Sequence, residues 1–152
     1  MIRTDRRLRI CAALLVCNLV FIWGNSLLPG EVSGALSSQV GQILEAVFGP
    51  SGPDKGHESF LLRKMAHFLE FAALGSLLGW LFAMTGKRKT WPIICGVMAA
   101  CIDETIQMFV PGRGPGIRDV LIDSCGVITG MILLHLGHTC YRNYFVDQLE
   151  EN

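Results

Sequence analysis

Four long apolar segments, separated by short polar stretches, dominate the pattern of hydrophobic and polar positions along this chain. They cover about residues 10–28, 64–84, 90–110 and 117–138. At roughly 1.5 Å per helical residue, each segment is long enough to cross the ~30 Å hydrocarbon core of a bilayer. The pattern therefore predicts an all-α integral membrane protein. We expect a bundle of four transmembrane helices that forms a single domain over residues 1–152.

A fifth helix is predicted between the first and second spans, at about residues 32–48. Its apolar residues recur at helical spacing, with Ser, Gln and Glu between them: Val32, Leu36, Val40, Ile43, Leu44 and Val47. The segment is too polar to span a membrane, so we expect a short amphipathic helix that lies on the membrane surface or packs on the bundle. Pro29 and Gly30 end the first span before it, and a Gly- and Pro-rich loop at 49–54 follows it.

The first apolar segment follows four arginines, Arg3, Arg6, Arg7 and Arg9. A cleaved signal peptide begins in the same way, but its apolar core is shorter and ends at a small-residue cleavage site. No such site is evident here. We therefore expect a retained first helix.

Composition supports the membrane class. Hydrophobic residues make up 51% of the chain, and charged residues only 17% against a usual ~25%, which excludes a disordered protein. The six cysteines form no Cys-x-x-Cys pair and lie in or beside apolar segments. We therefore expect small buried hydrophobes rather than a disulfide framework or a zinc–thiolate site. The formal net charge is zero, and no nucleic-acid partner is predicted.

Basic residues orient the four predicted helices. With a cytoplasmic N-terminus, the inner side would hold eight of the 13 Lys and Arg residues and the outer side five. The positive-inside rule then places both termini in the cytoplasm, as in a multi-pass protein of the plasma membrane. The bilayer is the first partner that this arrangement implies.

The candidate functional residues gather at one end of this arrangement, in the outer half of the membrane. A polar side chain in an apolar span costs roughly 2.5–3.5 kcal/mol at a helix centre, so it usually persists for a function. Small residues at Gly96, Gly126 and Gly130 would let the polar helix faces approach closely. The sequence thus predicts an outward-facing, water-accessible polar pocket built from His67, Glu70, Asp103, Glu104, Gln107, Arg113, Asp119 and Asp123.

Structural roles are the alternative for parts of this set. Arg113 could pair with Asp103 or Glu104 simply to fix the Pro-Gly turn at 111–116. His67 and Glu70, three residues apart, could form an interhelical hydrogen bond. His135 and His138 are expected at the inner membrane interface. A purely structural role for the whole set is less favoured, because three helices would carry an insertion cost at the same depth for no use.

Three sequence blocks resemble the VanZ-like family of membrane proteins. They are Lys64-Met-Ala-His67-Phe-Leu-Glu70-Phe, Asp103-Glu104-Thr-Ile-Gln107-Met-Phe-Val-Pro111-Gly-Arg113 and Asp119-Val-Leu-Ile-Asp123-Ser-Cys-Gly126. The stretch from Asn25 to Ser33 also resembles the Ser/Pro-rich end of that family's first helix. Asp123 is a departure, because Asn is expected there about as often. The family takes its name from a protein linked to teicoplanin resistance, so the resemblance implies a membrane fold, candidate residues and a role at the cell envelope.

Two functions remain open at this point. The pocket could hold a cell-wall precursor or a glycopeptide and so lower susceptibility to teicoplanin. It could instead belong to a membrane hydrolase or transferase, with His67 and the carboxylates as acid/base partners acting on a lipid-linked envelope substrate. Arg63, Lys64 and Arg118 suit a phosphate or carboxylate on that substrate. A transporter is less favoured, since the acidic residues stop halfway across the membrane.

A metal is a minor alternative for this pocket. Imidazole and carboxylate ligands from His67, Glu70 and the aspartates suit several divalent ions. Their spacing, however, matches no established metal motif. We therefore predict no metal site, and the cofactor is left open.

Overall fold

The structure, a computed structural model, describes residues 2–49, 55–88, 90–114 and 116–150. Side chains are described over 6–49, 59–88, 90–114 and 116–144. The described residues form five helices and no strand: α1 (Ile2–Ser26), α2 (Gly30–Phe48), α3 (Lys55–Thr85), α4 (Thr90–Gln107) and α5 (Ile117–Glu150). The predicted all-α class is confirmed. Most of the predicted loop at 49–54 lies outside the described residues.

Among the residues that the structure describes, three helices are long and apolar enough to cross a membrane. Their apolar stretches are Arg6–Ser26, Ser59–Thr85 and Ile117–Tyr144. α4, the remaining predicted span, has 18 residues and carries Asp103 and Glu104. It measures about 27 Å at 1.5 Å per residue, slightly less than a ~30 Å hydrocarbon core. Three of the four predicted spans are thus supported by length and composition, and the fourth crossing stays a prediction.

The segment predicted to be amphipathic is helical, and α2 begins directly after Pro29. Proline suits the position before the first helical residue because its missing N–H would have no partner there. None of the residues in α2 is buried. Its apolar side chains are exposed, including Val40 and Ile43. Its location on a membrane surface stays a prediction.

The four helices of the bundle, α1, α3, α4 and α5, alternate in direction along the chain. The hydroxyl of Ser76 in α3 donates to the carbonyl of Gly130 in α5 at 2.9 Å, and further along both helices Gly79 faces Leu134. α3 and α5 therefore run parallel, side by side. α4 runs the other way, since Gly96 near its start meets Val127, whereas Glu104 near its end bonds the residue that precedes α5. α1 is antiparallel to α3, because Cys11 bonds Leu77 and Asn25 bonds Glu70.

Glycines permit the closest helix contacts. A Cβ added at Gly126 or Gly130 would clash with the backbone of Phe68 or Ala72 in α3. Gly96 instead meets the side chain of Val127 in α5. The predicted close approach of helices at these small residues is confirmed. The small residues of the two polar faces do not pack on one another, however: Gly96 in α4 packs on α5, whereas Gly126 and Gly130 in α5 pack on α3.

The apolar core lies between α1, α3, α4 and α5. Its buried members are Ile22, Phe71, Leu74, Leu78, Ala99, Ala100 and Val127. Many large apolar side chains face outward, among them Val20, Phe21 and Leu133. Broad exposed apolar surface of this kind is typical of a membrane-facing bundle. The expectation that the cysteines are buried holds for Cys11 alone, since Cys95 is half-buried and the other four are exposed.

Candidate functional site

Four helices bring polar side chains to one end of the bundle, where α1 and α4 end and α5 begins. Asp103 is fully buried, and Asp123 and Glu104 are 1% and 6% exposed. Gln107 and Ser26 are also buried. Buried charges normally have partners, since an isolated charge in an apolar environment is costly. The partners of each group therefore indicate what the site can do.

His67, Asp103 and Asp123 come together at the centre of this end, and we call them the His–Asp–Asp cluster. One ligand atom from each residue lies within 4.8 Å of the other two. His67 Nδ1 is 3.9 Å from Asp103 Oδ2, which is too long for a hydrogen bond. Within the described part of the chain, His67 Nδ1, Asp103 Oδ1 and both oxygens of Asp123 are buried without a hydrogen-bond partner.

α1 contributes two residues, Asn25 and Ser26, that were not predicted to belong to the site. Asn25 Nδ2 donates to Glu70 Oε1 at 2.9 Å. Gln107 Nε2 donates to Asp103 Oδ2 at 2.7 Å and to Ser26 Oγ at 3.3 Å. Asn25 and Ser26 lie in the last turn of α1, at the same end as the predicted cluster. That position, and the resemblance of the stretch from Asn25 to Ser33 to the end of the family's first helix, are the signals in the sequence that could have identified them.

The alternative of a His67–Glu70 hydrogen bond is not observed. Glu70 accepts instead from Asn25, which joins α1 to α3. The interhelical hydrogen bond that was expected at Glu70 therefore exists, but with a different partner. His67 is left facing the two aspartates.

Arg113 fixes the loop between α4 and α5 against the end of α1. Its Nε donates to the Leu28 carbonyl at 3.1 Å and its Nη2 to the Asn25 carbonyl at 2.9 Å. Burial lowers the pKa of Arg113 from its usual value, and the charge of Arg63 acts in the same direction. The guanidinium still remains protonated, since its usual pKa lies far above neutral pH. The alternative of an ion pair with Asp103 or Glu104 is wrong among the described residues, because the fork of Arg113 binds carbonyls.

The same loop is held at two further points. The Gly116 N–H donates to Glu104 Oε2 at 2.8 Å, which links the end of α4 to the start of α5. The Gly30 N–H donates to the Pro111 carbonyl at 3.0 Å. Gly112 adopts a φ of 72° opposite Gly30, in a conformation that side chains disfavour. Glu104 and Arg113 thus order the loop over the His–Asp–Asp cluster.

The three basic residues predicted to bind substrate have different environments. Lys64 forms a close ion pair with Asp119, and the two side chains are 19% and 17% exposed. Arg63 is half-buried and lies over the Phe60 ring, 5.8 Å from its centroid. Arg118 is exposed. Lys64 is therefore engaged inside the site, whereas the role of the exposed Arg118 in substrate binding stays a prediction.

The predicted pocket is closed in this conformation. The carboxylates of the His–Asp–Asp cluster are almost completely covered, and the His67 side chain is 13% exposed. A cavity of about 210 Å³ lies to one side, between α2 and α3, and is lined mainly by Ser37, Ser38, Gln42 and Ser59. Water or substrate would have to reach the cluster through movement of the surrounding elements. Direct opening to the outer face stays a prediction.

A model of the VanZ/LLP1 family matches residues 11–138. The match covers most of the chain, including all four helices that form the site. The chain belongs to the VanZ/LLP1 family. Its three apolar helices agree with a membrane protein of that family. Comparison with curated proteins and with solved structures gives no significant match.

The chemistry available in this VanZ-like site follows from its atoms. An imidazole and two carboxylates with free lone pairs can exchange protons or bind a cation. Glu70, Glu104, Gln107, Arg113 and the Lys64–Asp119 pair each have a partner that holds them in place. The site thus combines a rigid frame with a centre whose polar atoms are available.

Proposed function

We propose that this VanZ-like protein acts at the cell envelope through the His–Asp–Asp cluster, at the outer end of the bundle, and lowers susceptibility to teicoplanin. The supporting observation is that His67 Nδ1, Asp103 Oδ1 and both carboxylate oxygens of Asp123 are buried without a hydrogen-bond partner in the region described. A structural network would use those atoms, because an unsatisfied buried polar group costs about 1–3 kcal/mol. Such a cost is typical of groups kept for a ligand or a reaction.

The test is teicoplanin susceptibility of a susceptible bacterial host that expresses the protein. We expect the wild type to raise the minimal inhibitory concentration at least fourfold over the empty vector. Asp103→Asn should abolish that increase at an equal amount of protein in the membrane. His138→Ala is the matched control, since His138 is exposed on α5 away from the cluster. Equal protection by Asp103→Asn and wild type would contradict the assignment of the site.

An enzyme acting on a lipid-linked envelope substrate is the second candidate. It is favoured over plain binding by the His67 imidazole, whose Nδ1 lacks a partner among the described residues and faces two carboxylates. An imidazole in that position is suited to general acid/base catalysis. The half-buried Arg63 would suit an anionic group on the substrate.

This second candidate is tested by mass spectrometry of lipid-linked precursors incubated with the purified protein in detergent. We expect a new product with the wild type and with His138→Ala. His67→Gln should lose it, since an amide cannot replace the imidazole in proton transfer. If the wild type protects the host against teicoplanin but forms no product from any precursor, the result would favour binding over catalysis.

A further inference from the structure

The geometry of the His–Asp–Asp cluster points to a ligand that the proposed function does not name. We infer that His67, Asp103 and Asp123 together bind one divalent transition-metal ion, as the cofactor of the enzymatic candidate. This assignment adds a cofactor to the proposed enzyme. It rests on the proposal that the functional site is the His–Asp–Asp cluster. Three observations support it: the distances between the donor atoms, the burial of Asp123, and the contacts that the nearby basic side chains make elsewhere.

The donor atoms are close enough to share one ion. Two ligands around a zinc-sized ion, with bonds of about 2.0–2.2 Å, lie roughly 3–4 Å apart. His67 Nδ1 and Asp103 Oδ2 are 3.9 Å apart, and the Asp123 donor lies within 4.8 Å of both. A side-chain adjustment of about 1 Å would therefore complete the site.

Burial supplies the independent observation that a ligand is required. Asp123 is 1% exposed, and neither of its carboxylate oxygens has a partner in the residues described. An ionised carboxylate in this environment is strongly disfavoured unless a proton or a cation accompanies it. Asp103 Oδ1 and His67 Nδ1, in the same cluster, are also buried without a hydrogen-bond partner among the described residues.

The nearby basic side chains are engaged elsewhere. Lys64 pairs with Asp119, one turn away from Asp123. Arg113 directs its fork at the carbonyls of Asn25 and Leu28. Arg63 lies over Phe60. A metal ion is the cation that would fit the remaining space between the three donors.

The donor set also indicates which class of ion. One imidazole and two carboxylates suit manganese, iron or zinc, whereas calcium and magnesium prefer oxygen ligands alone. Gln107 holds Asp103 by a 2.7 Å hydrogen bond, as outer groups commonly orient metal ligands. Three protein ligands leave a coordination position for water or a substrate, which is the pattern of catalytic rather than structural sites.

The test uses the full chain in detergent, purified through a tag without histidine and stripped with a chelator. Zn²⁺ and Mn²⁺ are then titrated separately by calorimetry, and the bound ion is counted by elemental analysis. We expect about one ion per chain for the wild type and for His138→Ala with at least one of the two metals. His67→Ala and Asp123→Asn should each weaken binding at least tenfold. Absence of saturable binding to the wild type, or unchanged binding in both cluster variants, would overturn the site.

A second measurement covers the case in which a cluster variant does not fold. Co²⁺ added to the stripped wild type should give visible d–d absorption bands that one equivalent of Zn²⁺ or Mn²⁺ removes. No bands would overturn the proposal without any substitution. Metal binding and teicoplanin protection are measured independently. Protection without metal binding would contradict the metal site and leave the proposed function standing. Metal binding without protection or product formation would contradict the proposed function and leave the metal site standing.

Discussion

The polar side chains at the end of the bundle divide into two groups according to their partners. Glu70, Glu104, Gln107 and Arg113 each make a hydrogen bond to a different element of the fold. One oxygen each of Glu70 and Glu104 also lacks a partner among the described residues. In the His–Asp–Asp cluster, by contrast, the donor atoms converge: neither oxygen of Asp123 has a partner in the part of the chain described, and His67 Nδ1 and Asp103 Oδ1 lack one too. The first group should respond to substitution through stability. The second should respond through function.

Arg113→Lys tests the first group. An ammonium cannot reproduce the two-pronged fork to the Leu28 and Asn25 carbonyls, although it keeps the charge. We expect the free energy of unfolding to fall by about 1–3 kcal/mol, as for the loss of a hydrogen bond from a charged donor. Thermal unfolding in detergent measures it. Arg118→Lys, at an exposed position, should leave the melting temperature unchanged, and an equal effect of the two would contradict the role of Arg113.

Asp123→Asn tests the second group by stability alone. In the metal-free protein this change removes a buried, unpartnered carboxylate while keeping the side chain's shape. We expect a higher melting temperature than that of wild type. Asp119→Asn is the matched comparison on the same helix, and it should lower the melting temperature because Lys64 loses its ion-pair partner.

A fall in stability for Asp123→Asn as large as that for Asp119→Asn would mean that Asp123 holds the fold together. The functional assignment of the His–Asp–Asp cluster would then lose its main support. The two substituted positions lie one turn apart on α5 and carry the same chemical change, so the variants should be expressed and inserted alike.

For single residues, the sequence predicted which charged side chains gather at this end of the bundle, but not their hydrogen-bond partners. Charged residues in apolar spans are conspicuous, which is why His67, Asp103 and Asp123 could be selected. Asn25 and Ser26 are uncharged and lie beside a helix end, where such residues are common, so only the fold revealed their contacts. The partners of Arg113 are backbone carbonyls, which have no sequence signature.

At the level of helices, close packing depends on the glycines of α5. Gly130→Ala should destabilise the bundle, because the added methyl group would meet the backbone of Ala72 in α3. Overpacking of this kind costs about 1–3 kcal/mol. Gly137→Ala on the same helix is the control, since nothing lies within 4 Å of its position. Thermal unfolding should show a loss for Gly130→Ala alone, and equal melting temperatures would contradict the parallel contact of α3 and α5.

The positions of the helices were predicted better than their lengths. Apolar segments located every helix within the described residues, but α3 (Lys55–Thr85) and α5 (Ile117–Glu150) extend well beyond the spans predicted at 64–84 and 117–138, because polar turns at a helix end carry no apolar signal. Small residues indicated that faces approach each other, yet they do not identify the partner helix. Gly126 and Gly130 could have packed on α4 as well as on α3. Which helix they pack on depends on how all the helices fit together, and the residue pattern along one helix does not show that.

For the molecule as a whole, the parallel arrangement of α3 and α5 constrains the topology. A chain that leaves the end of α3 and re-enters at the start of α5 has to return along the length of the bundle, and α4 runs in that direction. Despite its two acidic residues, α4 is therefore expected to cross the membrane among the other helices. Its buried face carries Asp103 and Glu104, whereas Met98 and Ile102 are exposed.

The central claim is that the polar cluster works at the outer face of a bundle with four crossings. Reporter fusions to chains truncated after residues 49, 88, 114 and 152 test it most directly, with alkaline phosphatase for an external position and a fluorescent protein for a cytoplasmic one. We predict phosphatase activity at 49 and 114, and fluorescence at 88 and 152. Fluorescence at 114 would put the cluster at the cytoplasmic face and contradict the account.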